Sequence, residues 1–273
     1  MVTDSTSSLP PGVGDDLLVV PLHVVLGERT GVEGRDVQAH EVAEALRGRL
    51  AVSTSRPSPG EFAAVYRSAP TRCLVSVHLS AALSGTLDAA RLAASEVAAD
   101  GIEVHVVDSG TIAMGLGFAA LAAADAARQG AGAQDVAELA RDAAARASVL
   151  FSLDSLEHLR RGGRIGPAAT LLGTALQVKP ILHVTGGRIQ ALDKVRTSTK
   201  ALARLEQRAL ERAGTAPVDL AVHHLDAPER AEQLADRLRG QVPGLRRLYL
   251  SQVGASVGPH VGPGVLGVVV APV

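Results

Sequence analysis

The stretch at residues 73–99, CLVSVHLSAALSGTLDAARLAASEVAA, decides the fold. It begins with an apolar, β-branched run at Leu74–Val77, which is typical of a buried strand. A hydroxyl-rich turn at Leu83–Thr86 follows. Apolar residues then recur at intervals of three and four, which predicts a helix over Leu83–Ala99. A buried strand that leads through a polar turn into a helix is the repeating unit of a parallel α/β sheet.

The same order of elements recurs along the chain. Further short strands are predicted at Leu17–Leu22, Val104–Val107, Leu150–Leu153, Leu220–Val222 and Val265–Val270. Further helices are predicted at Val37–Leu50, Ala133–Ala147, Thr199–Ala213 and Ala227–Arg239. We therefore predict an α/β protein with parallel sheets wound by helical crossovers.

The pattern is interrupted from residue 149 onward by a segment rich in arginine and glycine. We place a domain boundary there. It separates an N-terminal parallel-sheet domain at residues 1–148 from a second α/β domain at residues 149–273. A chain of 273 residues is near the length at which one hydrophobic core divides into two.

Composition excludes several classes of protein. The net charge is -1 and aromatic residues make up 2% of the chain, so neither a nucleic-acid surface nor a stacking platform is expected. No apolar run is long enough to insert stably in a membrane, and the N-terminus lacks the features of a signal peptide. The expected location is therefore the cytoplasm. The single cysteine, Cys73, lies in an apolar run and is expected to be a buried core thiol.

Four hydroxyl-rich turns follow predicted strands or precede predicted helices. They are Thr3–Ser8, Ser53–Pro59, Leu83–Thr86 and Asp108–Thr111. Ligands of parallel α/β sheets bind outside the carboxyl ends of the strands, where hydroxyls and helix N-termini can donate hydrogen bonds to an anion. Each turn alone is better explained as an ordinary helix cap, but four turns that converge on one sheet edge favour a binding site. A histidine, His260, lies in a loop rich in glycine and proline near the end of the chain and is a further binding candidate.

Motifs for common enzyme chemistry are absent from the sequence. Ser84 lacks the first glycine of a Gly-x-Ser-x-Gly elbow, and no phosphate-binding loop with a lysine is present. Gly115–Ala120 resembles a dinucleotide fingerprint, but it begins eight residues after the strand and is better explained by helix packing. The adjacent residues His223 and His224 should point to opposite faces of a strand. The chain has neither partner cysteines nor a His-x3-His pair, so no metal site is expected, and no cofactor is predicted.

Basic residues are concentrated in the segment from Glu157 to Arg212. It holds eleven lysines and arginines against four acidic residues, a net charge of +7 in a chain whose total is -1. A solvated helix face explains part of this excess. The remainder favours a surface that binds an acidic partner or a phosphate.

The motifs, taken in order, resemble those of the DegV family of bacterial fatty-acid-binding proteins. The resemblance rests on residues 2–6, 54–59, 79–86, 107–109, 159–165, 179–181, 194–197 and 260–264. It implies two α/β domains with an acyl-chain tunnel between or within them.

The resemblance also implies which residues bind the ligand. The carboxylate of a long-chain fatty acid would be held by Thr54, Ser84 and His260. Neighbouring ligand-binding candidates in the same motifs are Ser5, Thr6, Ser55, Gly85 and Thr86. Hydroxyl and imidazole groups suit this role because both can donate hydrogen bonds to a carboxylate.

In the family, the bound acid is presented to a separate fatty-acid kinase that forms an acyl-phosphate. Arg164 and Arg196 match two arginines implicated in that step, and both fall within the basic segment. The chain itself would then be a ligand-binding subunit and not an enzyme.

Three features depart from the family pattern. Arg56 stands where glutamine is frequent, and Ala81–Ala82 replaces a Ser-Gly pair. The chain also begins almost inside its first motif, which predicts either a very short first strand or a mis-assigned start codon.

Two other hypotheses remain open from the sequence. In the first, the protein is an acyl hydrolase or transferase with Ser84 as nucleophile and His260 as base, oriented by Asp4 or Asp108. In the second, it is an interaction module that uses the basic segment and binds no lipid.

Overall fold

The computed structural model describes residues 1–171 and 178–273. Within them the chain forms the α/β fold that the sequence predicts. The first sheet has four parallel strands in the order β2-β1-β6-β7. These strands are β1 (Val2–Asp4), β2 (Leu18–Val20), β6 (Cys73–His78) and β7 (Glu103–Asp108). The first strand is three residues long, in agreement with the very short strand expected.

A second, three-stranded antiparallel sheet packs beside the first, with the order β4-β3-β5. Its strands are β3 (His23–Leu26), β4 (Arg29–Val32) and β5 (Val52–Ser55). The sequence patterns above did not predict this sheet. Its strands are four residues long, and β5 alternates between half-buried and exposed residues instead of forming an apolar run. The sheet brings Thr54 to the site described below.

Helix α1 (Ala39–Arg47) packs against β5 of the small sheet. Further helices cover both faces of the first sheet. They are α2 (Pro59–Ser68), α3 (Thr86–Val97), α4 (Met114–Arg128) and α5 (Ala133–Arg146). A capping box begins α2, because the Ser58 hydroxyl accepts from the Glu61 backbone N–H and the Glu61 carboxylate accepts from the Ser58 N–H. The fingerprint-like segment at Gly115–Ala120 lies inside α4, as the helix-packing interpretation predicts.

The third sheet has six strands in the order β10-β9-β8-β13-β11-β12. Its strands are β8 (Ser148–Ser152), β9 (Lys179–Thr185), β10 (Arg188–Val195), β11 (Val218–His224), β12 (Leu245–Gln252) and β13 (Leu266–Pro272). Only β11 and β12 are parallel neighbours, whereas the other pairs are antiparallel. Strands β9 and β10 are antiparallel because a tight hairpin turn joins them. In this turn Gly186 and Gly187 both have positive φ.

The remaining helices belong to this second half of the chain. They are α6 (Glu157–Arg161), α7 (Ser198–Ala213), α8 (Pro228–Gln241) and α9 (Gly258–Val261). Buried residues of α7 and α8 share one apolar cluster with β11 and β13. Among the residues with described structure, no helix is both long and apolar enough to cross a bilayer.

The largest apolar cluster joins the two halves of the chain. It contains Val75 and Val107 from the first sheet, Ala137 from α5, and Phe151 and Val269 from the third sheet. Helices α4 and α5 therefore lie between the two sheets and pack against both. Strand β8 begins at Ser148 and belongs to the third sheet, so the boundary at residues 148 and 149 falls one residue inside this strand. A division at this position of the chain remains our proposal.

The expectation for Cys73 was wrong, because this residue is exposed. Cys73 is the first residue of β6, whereas Leu74 through His78 are buried. The apolar run marks the strand correctly, but the helices that cover the sheet leave its first residue open to solvent.

Candidate functional site

A cavity lies where the carboxyl ends of β1, β6 and β7 face the third sheet. Of the 25 residues that line it, 17 are apolar, so its body is suited to a hydrocarbon. Polar residues from four separate segments meet at one end. They are Thr54, Ser84, Arg164 and His260.

A hydrogen bond between Thr54 and His260 joins two of these segments. The Thr54 Oγ1 and His260 Nε2 atoms are 2.9 Å apart, although the residues are 206 positions apart in sequence. If His260 carries its proton on Nε2, it donates to Thr54, and the Thr54 hydroxyl proton is then directed at a third group. An anion in the cavity would accept a hydrogen bond from this hydroxyl.

His260 is held in place by its surroundings. It lies on α9, a four-residue helix with Pro259 at its first turn. A Cβ atom on Gly162 would overlap His260 Nδ1, so only glycine leaves room for the imidazole there. Burial and the nearby Arg164 guanidinium lower the pKa of His260 to about 4, so the ring is neutral at neutral pH.

Arg164 lies at the polar end of the cavity. Its Nε donates to the backbone oxygen of Leu83 at 3.1 Å, and its Nη1 donates to the backbone oxygen of Gly162. Both acceptors are next to predicted site residues, because Leu83 precedes Ser84 and Gly162 contacts His260. This guanidinium therefore supplies positive charge where a carboxylate would bind.

Ser84 lies in the turn that precedes α3. Its Oγ accepts from the backbone N–H of Thr86 at 3.3 Å and is 2.9 Å from the Thr86 hydroxyl. The Arg56 guanidinium lies over Gly85, where it would overlap a Cβ atom. Arg56, which departs from the family pattern, is exposed. Its guanidinium nevertheless lies next to the site and adds a second positive charge at this turn.

The other residues predicted from the first turn are placed differently. Thr6 lines the cavity, but its hydroxyl donates to Asp4. The Ser5 hydroxyl donates a hydrogen bond to the Glu33 carboxylate and accepts one from the Leu22 N–H at 2.9 Å. Ser5 therefore links the first turn to the segments that contain Leu22 and Glu33. Burial raises the pKa of the Glu33 carboxyl.

Ser55 and Arg196 lie outside the cavity and are exposed. Ser55 ends β5, where it pairs with His23. Arg196 follows β10 and precedes α7. The two arginines predicted to share one role thus occupy different places, with Arg164 at the cavity and Arg196 on the surface.

A vestibule outside the polar end adds residues that the sequence analysis did not single out. It shares Thr54, Arg164 and His260 with the cavity and is lined further by Arg49, His158 and Arg161. Arg161 lies within the predicted motif at residues 159–165 but was given no role of its own, whereas Arg49 has no sequence signal and is brought in by the turn between α1 and β5. The vestibule is basic and would attract an anionic head group.

His223 is another cavity residue without an assigned role from the sequence. Its Nε2 accepts from the Met114 backbone N–H at 3.3 Å, and its Nδ1 is 3.1 Å from the Ser251 hydroxyl. Burial lowers its pKa to about 4. A neutral histidine with both nitrogens occupied is compatible with an apolar wall.

The geometry does not support a hydrolase at Ser84. The Ser84 hydroxyl bonds to Thr86 and not to His260. Within residues 1–171 and 178–273, no acid bonds to the His260 Nδ1 atom. Asp4 bonds instead to His78 and Leu79, and Asp108 bonds to Ala81 and Gly110.

The fold and the site together define a two-domain α/β protein with an apolar cavity that ends at a hydroxyl, imidazole and guanidinium cluster. The chain belongs to the DegV family, whose model, described as an uncharacterised protein family, matches residues 1–273. A DegV domain-containing protein of Streptomyces coelicolor is 53% identical over 276 residues, covering 99% of this chain and 97% of the relative.

Two solved structures share the whole fold. A DegV family protein from Thermus thermophilus, described by its fatty acid binding, has a TM-score of 0.91 and 32% identity, with coverage of 100% of this chain and 98% of the other. DegV of Bacillus subtilis, described as a fatty acid binding protein, has a TM-score of 0.90 and 32% identity with the same coverage. The resemblance found in the sequence is thus confirmed at the level of family and fold.

Proposed function

We propose that this protein binds a long-chain fatty acid in the cavity, with its carboxylate at Thr54, Ser84 and His260. The observation that carries the proposal is a mostly apolar cavity whose polar groups converge at one end. The fatty acid binding described for the Thermus and Bacillus structures supports it.

The two parts of the ligand would contribute differently. Burial of each methylene stabilises the complex by ~0.8 kcal/mol, so a tail of ~16 carbons supplies most of the affinity. The head group sets the orientation, because Thr54 and Ser84 can donate hydrogen bonds and the Arg164 guanidinium favours an anion.

The protein purified from cells is expected to contain a long-chain fatty acid, and Thr54→Val to bind it about tenfold more weakly. Valine keeps the shape of threonine but removes the hydroxyl, and a hydrogen bond to a charged group contributes about 1.5–3 kcal/mol. Mass spectrometry of extracted lipid and titration of the delipidated protein would measure both effects.

Thr30→Val is the matched control, because Thr30 is exposed on β4 of the same small sheet. Its affinity should equal that of the wild type. A wild-type protein that contains no fatty acid and takes up none when it is added would contradict the proposal.

We infer further that the chain has no catalytic step of its own and presents the acid to a separate fatty-acid kinase. The basic vestibule supports this inference, because it leaves the polar end of the cavity within reach of a partner and its phosphate donor. Arg196 lies outside both the cavity and the vestibule, which suits a residue that touches the partner alone.

Arg196→Gln is expected to lower acyl-phosphate formation at least tenfold while leaving bound fatty acid unchanged. A tenfold effect corresponds to about 1.4 kcal/mol, which is modest for a charge at an interface. Arg164→Gln should lower both readouts, because Arg164 lies at the cavity. The assay combines the loaded protein, a fatty-acid kinase and ATP.

The exposed Arg141 on α5 provides a control for loss of one positive charge, and Arg141→Gln should behave as wild type. Equal acyl-phosphate formation by Arg196→Gln and wild type would remove Arg196 from the proposed partner surface.

A further inference from the structure

Three metal-ligating side chains meet at the end of the first sheet away from the cavity. They are Cys73, Glu103 and His105, and one ligand atom from each lies within 4.8 Å of the other two. The cavity lies at the carboxyl ends of β6 and β7, whereas these residues are near the amino ends. At about 3.3 Å per residue, Cys73 is about 16 Å along β6 from His78.

The strand register explains why these residues meet. Strands β6 and β7 are parallel neighbours, and Cys73 pairs directly with Glu103. Side chains two positions apart in a strand point to the same face, so Glu103 and His105 lie together. The cysteine is 30 residues away from Glu103 in sequence, and for this reason ligand spacing alone predicted no metal site.

The donor atoms suit one class of metal ion. A tetrahedral Zn²⁺ ion binds cysteine sulfur at about 2.3 Å and histidine nitrogen or carboxylate oxygen at about 2.0–2.2 Å, which separates its ligand atoms by about 3.5 Å. The His105 Nε2 and Glu103 Oε1 atoms are 2.8 Å apart and share a hydrogen bond, which an ion would replace while the neutral His105 ring keeps its proton on Nδ1. Cys73 and Glu103 are exposed, so rotation of their side chains can close the remaining distance.

We propose that Cys73, Glu103 and His105 form a binding site for a divalent transition-metal ion of the Zn²⁺ class. Thiolate and imidazole ligands favour such ions over Mg²⁺ and Ca²⁺. Cys73 binds as the thiolate and releases its proton to solvent as the metal–sulfur bond forms. Three protein ligands leave a fourth position for water, as in sites that keep an open coordination position. The ion would join the edge strand β7 to β6, independently of the fatty-acid site.

Titration of the purified, chelator-treated protein with Zn²⁺ and Co²⁺ tests the site. One ion should bind per chain, and Co²⁺ should produce the charge-transfer absorption of a thiolate ligand. Cys73→Ser should abolish that absorption and weaken Zn²⁺ binding about 100-fold. Glu103→Gln and His105→Gln should each weaken it at least about tenfold, since even hydrogen-bonded neighbours of a ligand contribute about 10- to 100-fold.

The exposed His40 on α1 provides the matched control, and His40→Gln should bind Zn²⁺ as the wild type does. All four variants should retain their fatty acid, because none of these residues lines the cavity. Two results would overturn the proposal: a Co²⁺ complex without thiolate absorption, or Zn²⁺ binding by Cys73→Ser as tight as that of the wild type.

Discussion

Gly162→Ala is expected to remove the fatty acid from the cavity while leaving the protein folded. An alanine Cβ atom would overlap His260 Nδ1 and approach His260 Cε1 to 3.0 Å. The Gly162 backbone has φ of -72°, an ordinary helical value, so alanine adds no backbone strain. The imidazole must therefore rotate away, which breaks its hydrogen bond to Thr54.

The expected loss of affinity is about 100-fold, because a misplaced histidine and threonine forfeit about 3 kcal/mol of charged hydrogen bonding. Titration of the delipidated variant with a long-chain acid would measure it. Gly240→Ala is the matched control, since Gly240 lies in α8 and an alanine Cβ atom there would meet no other atom within 4 Å. Wild-type affinity in Gly162→Ala would show that the position of His260 does not matter to the ligand.

The sequence predicted the parts of this site that local signals encode. The strand β6, the polar turn after it and the helix α3 follow from periodicity and turn chemistry over about 25 residues. Ser84 is placed by that turn alone. The pairing of Thr54 with His260 depends on two segments 206 residues apart, so only the family resemblance suggested it.

The third sheet and Arg164 show what local patterns cannot reveal. Strand direction in the third sheet depends on which strands become neighbours, and the tight turn at Gly186 and Gly187 makes β9 and β10 antiparallel. The +7 segment predicted one basic surface, yet several of its charged side chains are taken up by contacts within the protein. Glu157 pairs with Arg160 and Arg161, while Arg164 turns inward to the Leu83 oxygen. Charge counting measures the excess but not the direction of each side chain.

The opening motif contributes chiefly through Asp4, whose carboxylate is fully buried. It accepts from the backbone N–H groups of Thr6 at 3.0 Å and Leu79 at 3.1 Å and from the Thr6 hydroxyl, and its Oδ2 is 3.0 Å from His78 Nδ1. The His78 ring continues the network, with Nε2 at 2.7 Å from the Ser76 hydroxyl. Asp4 therefore joins β1 to the end of β6 and orients Thr6 at the cavity.

Asp4→Ala is expected to lower the free energy of unfolding by about 3–5 kcal/mol, the cost of removing one partner from a buried charged network. That is a large share of the ~5–15 kcal/mol typical of a folded protein. Urea unfolding of the delipidated variant would measure the loss. Asp88→Ala, which removes an exposed carboxylate of α3, should change stability by no more than about 0.5 kcal/mol.

Added fatty acid provides a second readout for the same variant. A ligand at 100 times its Kd stabilises the folded state by about 2.7 kcal/mol, which is less than the expected loss. Thr6 lines the cavity and loses its acceptor in Asp4→Ala, so we expect this variant to bind the acid more weakly. The stability that the variant regains at a given acid concentration should therefore be smaller still. Full recovery of wild-type stability, or no loss at all, would mean that the Asp4 network neither joins the strands nor shapes the cavity.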